Sequence, residues 1–199
     1  MKDNKEKRTL PIQLQVREAT EEDGTRTITG GIKYETDSEV MRDWYGDEFV
    51  EQIAPGAFDE SIRTRGVVGL WSHDTSQVLG NTKSSTLRLF SGDKELRFEL
   101  DIPNTSAGND AWELIQRGDV DGVSFGMRVT KEKWSSEDRE GGAKLYKRSI
   151  LNAELYEISP VAFPAYPSNE VSCRSLDEFR AGDKLKAEKL LLEIDLLGL

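Results

Sequence analysis

The sequence predicts a mixed α/β fold of the α+β kind, mostly antiparallel, in which many strands and two or three short helices fit a closed or nearly closed barrel wrapped by the helices. Three observations predict it. Period-two alternation recurs in short runs along the chain. Helical spacing is confined to a few segments. With 199 residues the chain is long enough for one full core.

The elements follow in order. Ile12, Leu14 and Val16 alternate with Gln13 and Gln15, a first strand. The acidic turn Glu22-Asp23-Gly24-Thr25 leads to a second strand over 27–34. Residues 55–63 carry Phe58 and Ile62 four apart with Pro55 at the start, which predicts a short helix. A strand over 67–71 ends at Ser72-His73. Runs 86–90 and 95–102 predict a hairpin across Ser91-Gly92-Asp93. Its second strand alternates Leu96, Phe98, Leu100 and Ile102 with charged residues, so one face meets solvent. A helix is predicted over 107–117, capped by Thr105 or Ser106 and ended by Gly118. Val123, Phe125, Met127 and Val129 then alternate with Ser124, Gly126 and Arg128, as in a half-buried strand. The polar stretch 134–144 reads as a solvated loop, and 151–157 as another strand.

The domain reading is a charged N-terminal extension over 1–9, one folded domain over 10–174 and an amphipathic helical tail over 175–199. Ser175-Leu176-Asp177-Glu178 has capping-box spacing at the start of the tail. Leu185, Leu192 and Leu196 recur at helical intervals beyond Gly182, with Leu190, Leu191, Ile194 and Leu197 nearby. They predict either a packed helix or one that docks onto a partner.

Composition narrows the function classes. The net charge of −10 argues against nucleic-acid binding, which needs clustered Lys and Arg. A lone cysteine, Cys173, excludes an internal disulfide, as expected for a reducing compartment. With one His and one Cys, a Cys/His zinc site is not expected, and no other metal or cofactor is implied. No apolar run reaches the roughly 18 to 20 residues of a membrane span. The charged first residues lack the apolar stretch of a signal peptide.

One constellation carries chemistry. A hydrolytic serine needs a base, because its hydroxyl is a poor nucleophile at neutral pH. The single histidine, His73, lies upstream of Ser124, which is displayed between Gly122 and Gly126 on the face of its strand opposite the apolar set. Glycines two residues either side leave room for another chain to approach the hydroxyl. If Ser124 is a nucleophile with a histidine base, that base is His73. Strand parity from Leu151, Ala153 and Leu155 puts Glu157 on the apolar face, where a carboxylate needs a partner. Arg128, Arg148 and the ring N–H of His73 are the candidates; in the last case Glu157 would fix the imidazole tautomer.

Several blocks in order resemble one known family. They are Leu10-Pro11 with Arg17-Glu18-Ala19, Gln52-Ile53-Ala54-Pro55-Gly56-Ala57-Phe58, Leu70-Trp71-Ser72-His73-Asp74 and Val78-Leu79-Gly80-Asn81-Thr82. Arg117-Gly118-Asp119 to Ser124-Phe125-Gly126 and Glu157-Ile158-Ser159-Pro160-Val161 to Pro164-Ala165 complete the set. Together, from about Leu10 to Val171, the chain resembles the prohead (capsid maturation) proteases of tailed phages, HK97 type. The resemblance implies the barrel of the related herpesvirus assembly proteases and a serine endopeptidase acting during prohead maturation. It implies His73 as base and Ser124 as nucleophile. Herpesvirus relatives use a second histidine as third member; this chain has none, so an acid must serve, Glu157 or, as runner-up, Asp74. The implied partners are the major capsid protein with its scaffold segment and the protease itself, with a homo-oligomer expected. The implied place of action is the immature prohead in the host cytoplasm. A non-enzymatic scaffolding or capsid-assembly protein on the same fold is the alternative. An α/β-hydrolase esterase fits poorly, because the candidates run His, Ser, Glu along the chain rather than Ser, acid, His.

Overall fold

A computed structural model describes residues 5–10, 14–17, 25–162 and 170–197. Ile12 and Gln13 of the first expected strand, Glu22-Asp23-Gly24, Pro164-Ala165 and the side chains of Leu192, Ile194, Leu196 and Leu197 lie outside the described residues.

The strands are β1 (Glu6–Leu10), β2 (Gln15–Arg17), β3 (Thr27–Lys33), β4 (Met41–Arg42), β5 (Glu48–Ile53), β6 (Val68–Trp71) and β7 (Asp74–Asn81). Then come β8 (Leu87–Ser91), β9 (Glu95–Asp101), β10 (Gly122–Asp138) and β11 (Lys144–Val161). The α-helices are α1 (Asp59–Thr64), α2 (Ser106–Gln116) and α3 (Glu170–Leu197). A four-stranded sheet has the order β2-β3-β9-β8, and a seven-stranded one runs β1-β10-β11-β5-β4 with β6 and β7 branching from β11.

The mixed α/β class holds, but among the described residues the sheets do not make the closed or nearly closed barrel expected from the sequence; the two sheets are open. The reason lies in β11. One edge pairs antiparallel with β10. The other edge takes β5 in parallel over Leu145 to Ile150 and β6 in parallel at Glu157 and Ile158. Two strands added to successive stretches of one edge make the sheet fork rather than curl back on itself. The core fills the space between the sheets, with Ile28, Leu96, Phe98 and Leu100 from one and Val123, Phe125, Met127 and Ile158 from the other all fully buried.

Three local expectations change. Residues 134–144 are not a solvated loop: β10 and β11 continue as a paired hairpin to Asp138 and Lys144. Its polar composition reflects a ribbon that projects past the core, anchored by Trp134 against Phe49 and Phe179. The N-terminal extension contains β1, which joins the large sheet. Its Glu6 and Arg8 enter a buried ion network: Arg148, 1% exposed, donates to Glu6 (2.9 Å), Glu51 (3.0 Å) and Glu132 (2.6 Å). Burial opposes the Arg148 charge, yet the surrounding carboxylates outweigh it and raise its pKa. Finally, the C-terminal helix begins at Glu170 rather than Ser175. Ser175 therefore lies within the helix, where its hydroxyl accepts from the Trp134 indole N–H at 2.9 Å. The first turns are fastened to the body, with Leu176 fully buried beside Phe49 and Trp134, and Arg180 bonded to Asp43 at 2.6 Å.

Candidate active site

The site is built where β6 meets β11. Trp71 and Asp74 are paired, so Ser72 and His73 are the two central residues of a tight hairpin. Both have positive φ, 50° and 64°, as a type I′ turn requires. Asn-Gly would adopt that conformation at lower cost; a serine and a histidine there hold the backbone in a sparsely populated region. The turn is tied down by its neighbours: Ser72 N–H donates to the Pro160 carbonyl at 3.2 Å, and His73 N–H to the Ser159 hydroxyl at 3.2 Å.

His73 Nδ1 lies 2.8 Å from Glu157 Oε1, with 18% and 12% of the two side chains exposed. The other carboxylate oxygen of Glu157 accepts from the Ser159 hydroxyl at 2.6 Å. Ser159 thus links the carboxylate to the backbone of the very residue whose ring that carboxylate holds. Arg128 and Arg148, the other partners considered for Glu157, are engaged elsewhere, Arg128 with Glu154 at 2.7 Å and Arg148 in the buried network.

Parity from Leu151 to Leu155 assigns Glu157 to the core face, and this is corrected by a β-bulge. Gly126 pairs with Glu157 but Met127 pairs with Leu155, so Tyr156 is an extra residue in β11. Leu155 and Ile158, three apart, are both fully buried. The bulge turns Glu157 to the opposite face, the one that carries Ser124, Gly126 and Ser159. Ser61 of α1 supports the irregularity by accepting the Leu155 N–H at 2.8 Å. Gly126 leaves space for the acid as well: a Cβ there would lie 2.6 Å from Glu157 Oε1.

Ser124 is paired across the ladder with Ser159, so it is a near neighbour of the His73–Glu157 pair on the same face. Its hydroxyl is not bonded to the imidazole. It donates instead to the Arg8 backbone carbonyl of β1 at 2.9 Å, and the residue is 1% exposed. Asp74 points away from the ring and closes its own turn, accepting from the Ser76 N–H and hydroxyl and from the Gln77 amide. Those bonds, the Ser76 hydroxyl first, hold its pKa below the ordinary Asp value. Sequence reasoning missed Ser159; the signal was its place two residues beyond Glu157, on the same strand face. Among the described residues no cluster of His, Cys, Asp or Glu could hold a metal, and no helix is long and apolar enough to cross a membrane.

Residues 12–181 match the caudovirus prohead serine protease family, and the chain belongs to that family. It is therefore a serine protease of phage capsid maturation rather than a non-enzymatic scaffold. No curated protein sequence matches it. Among solved structures, the bacteriophage T4 capsid assembly protease gp21 is similar over 76% of this chain and 98% of that one. With 11% identity and a TM-score of 0.37, that likeness is too loose to assign residue roles.

Proposed function

We propose that this prohead protease cleaves the scaffold segment of the major capsid protein, and itself, with Ser124 as nucleophile, His73 as general base and Glu157 as the residue that orients the base. The observation that carries the assignment is the 2.8 Å contact between His73 Nδ1 and Glu157 on the face that bears Ser124. With Nδ1 occupied as an N–H donor, Nε2 keeps its lone pair for the serine proton.

The Ser124 hydroxyl attacks the scissile carbonyl carbon while Nε2 takes its proton. The tetrahedral intermediate then collapses, the C–N bond breaks and the imidazolium returns the proton to the leaving amine. A water, deprotonated by the same nitrogen, hydrolyses the acyl-serine and restores the hydroxyl. Glu157 stays ionised and stabilises the imidazolium. Substrate and enzyme meet inside the immature prohead in the host cytoplasm, and the enzyme works as a homo-oligomer in this reading.

Reaction with a fluorophosphonate, located by mass spectrometry, tests the nucleophile directly. Co-expression with the capsid protein tests the pair: Ser124→Ala and His73→Ala should each abolish processing in a folded protein. The double variant should be scarcely slower than either single one. Normal processing with either substitution overturns the triad.

A further inference from the structure

The Ser124 hydroxyl, which the proposed reaction needs free, is held by the chain's own N-terminal strand. β1 runs antiparallel along the edge of β10, from Glu6 opposite Met127 to Leu10 opposite Val123, with Thr9 opposite Ser124. It is the terminal strand of the large sheet on that side, so withdrawing it would leave the serine-bearing stretch of β10 as a bare edge. An unpaired strand edge is a template for an extended peptide. β1 also precedes the segment matched by the protease family, which starts at residue 12.

The side chain of Arg8 is gripped as its carbonyl is. Its Nε and Nη2 each lie 3.0 Å from one oxygen of Glu51, a buried two-point clamp on a guanidinium, and Nη2 also reaches the Ser172 hydroxyl at 3.3 Å. Glu6 of the same strand bonds Arg8 and Arg148. Without β1, Arg148 would face two carboxylates, Glu51 and Glu132, so the vacated seat is acidic.

We infer that the β10 edge is the substrate's strand seat, and that β1 fills it as a tethered competitor. The seat accepts an extended peptide with Arg or Lys at the residue whose carbonyl meets Ser124. This rests on Ser124 being the nucleophile. A substrate pairs with β10 as β1 does, places its basic side chain on Glu51 and brings its carbonyl to the serine. While β1 is seated, the hydroxyl is committed to the Arg8 carbonyl and the His73–Glu157 pair waits unused. A short tether gives β1 an effective concentration on the order of millimolar, enough to hold off a dilute substrate.

The test uses the full chain and its Arg8→Glu variant, which turns a carboxylate toward Glu51. Two readouts are taken: the rate of Ser124 labelling by a fluorophosphonate, and hydrolysis of peptides copied from residues 5–10 with Arg or Glu at the position of Arg8. Arg8→Glu should label faster by about tenfold or more, as expected when a tethered competitor is lost. The Arg peptide should be cut at least about tenfold faster than the Glu peptide, in line with loss of a charged hydrogen-bonded partner. Added in excess, the Arg peptide should slow labelling of the variant. If Arg8→Glu fails to fold, judged by circular dichroism, Leu10→Pro is measured the same way; it spares the ion network and removes a backbone donor on the side of β1 that faces β10, the side to which the Arg8 carbonyl also points. Equal labelling in a folded variant and the parent overturns the competitor, and a preference for the Glu peptide overturns the acidic seat. In either case the triad stands if hydrolysis still needs His73, whereas hydrolysis that survives His73→Ala overturns the triad itself.

Discussion

Replacing Glu157 by Gln separates an orienting acid from a structural one. The carboxylate accepts at both oxygens, from His73 Nδ1 at 2.8 Å and from the Ser159 hydroxyl at 2.6 Å. A Gln side chain offers one acceptor and one donor. If its oxygen keeps the Ser159 hydroxyl, its NH2 faces Nδ1 and moves the ring proton to Nε2, the atom that must receive the serine proton. If it turns over, its NH2 meets the Ser159 oxygen, which already accepts the His73 N–H at 3.2 Å. The surroundings therefore favour the wrong tautomer. The equivalent change in a triad costs about 10⁴ in kcat, or about 5.5 kcal/mol in the barrier. The stability cost is smaller, about 1–3 kcal/mol for weakened charge-assisted bonds at a partly buried site. For a chain of this size that lowers Tm by roughly 2–4 °C per kcal/mol. Hydrolysis of a purified scaffold segment, followed by mass spectrometry, gives the rate, and a thermal melt gives the stability. Asp74→Asn is the control: its bonds all lie within its own turn, so its rate should stay within about threefold of the parent, the spread of an ordinary surface change. The lowered Asp74 pKa adds a sign. Its carboxylate stabilises the fold fully above the ordinary Asp value, about 3.9, and that contribution fades as pH falls through the lowered one. The Tm gap between the parent and Asp74→Asn should accordingly close on acidification. A rate loss below about tenfold for Glu157→Gln, or a larger one for Asp74→Asn, refutes the reasoning.

Two further outcomes follow from the packing. Gly126→Ala puts a Cβ 2.6 Å from Glu157 Oε1 and 3.1 Å from its Cγ, so the acid must move and kcat/KM should fall by about 10²-fold, the cost of displacing a positioned group by an ångström; unchanged kcat/KM in the variant counts against it. A chain stopped after Gly182 keeps Leu176, Phe179 and Arg180 on the body and should melt within about 2 °C of the full chain. One stopped after Arg174 loses the buried Leu176 and should unfold several degrees lower, by the roughly 2–5 kcal/mol of a deleted core leucine; differential scanning fluorimetry compares the two.

Short-range signals were legible where the chain obeys one period. The hairpin of β8 and β9, helix α2 with its Thr105 cap and Gly118 stop, and the strand that ends at His73 all fall within a residue or two of expectation. β1 was not legible, because Glu6, Lys7 and Arg8 look like a solvated charged run. Arg148, Glu51 and Glu132, all distant in sequence, make the burial of Glu6 and Arg8 tolerable. The 134–144 ribbon hid for a similar reason: both its faces leave the core, so no alternation marks it as paired strand. Tail leucines 185, 190 and 191 are more than half exposed, whereas the residues that fix α3 to the body, Leu176, Phe179 and Arg180, precede Gly182.

The bulge at Tyr156 shows how a parity argument reaches a useful residue by a faulty route. Alternation along 151–157 puts Glu157 beside the apolar residues and calls for a partner to its charge. In the structure it faces the other way and meets His73 because the pleat is broken one residue earlier. Without the extra residue, Glu157 would point into the core against Phe125 and Leu155, and the imidazole would lose its acceptor. Sequence cannot show a bulge directly, since one inserted residue leaves composition and local propensity unchanged. What it does leave is a conflict: an ionisable residue in an apolar register that needs a partner for its charge. Here that conflict marked the position where the strand reverses faces to build the site.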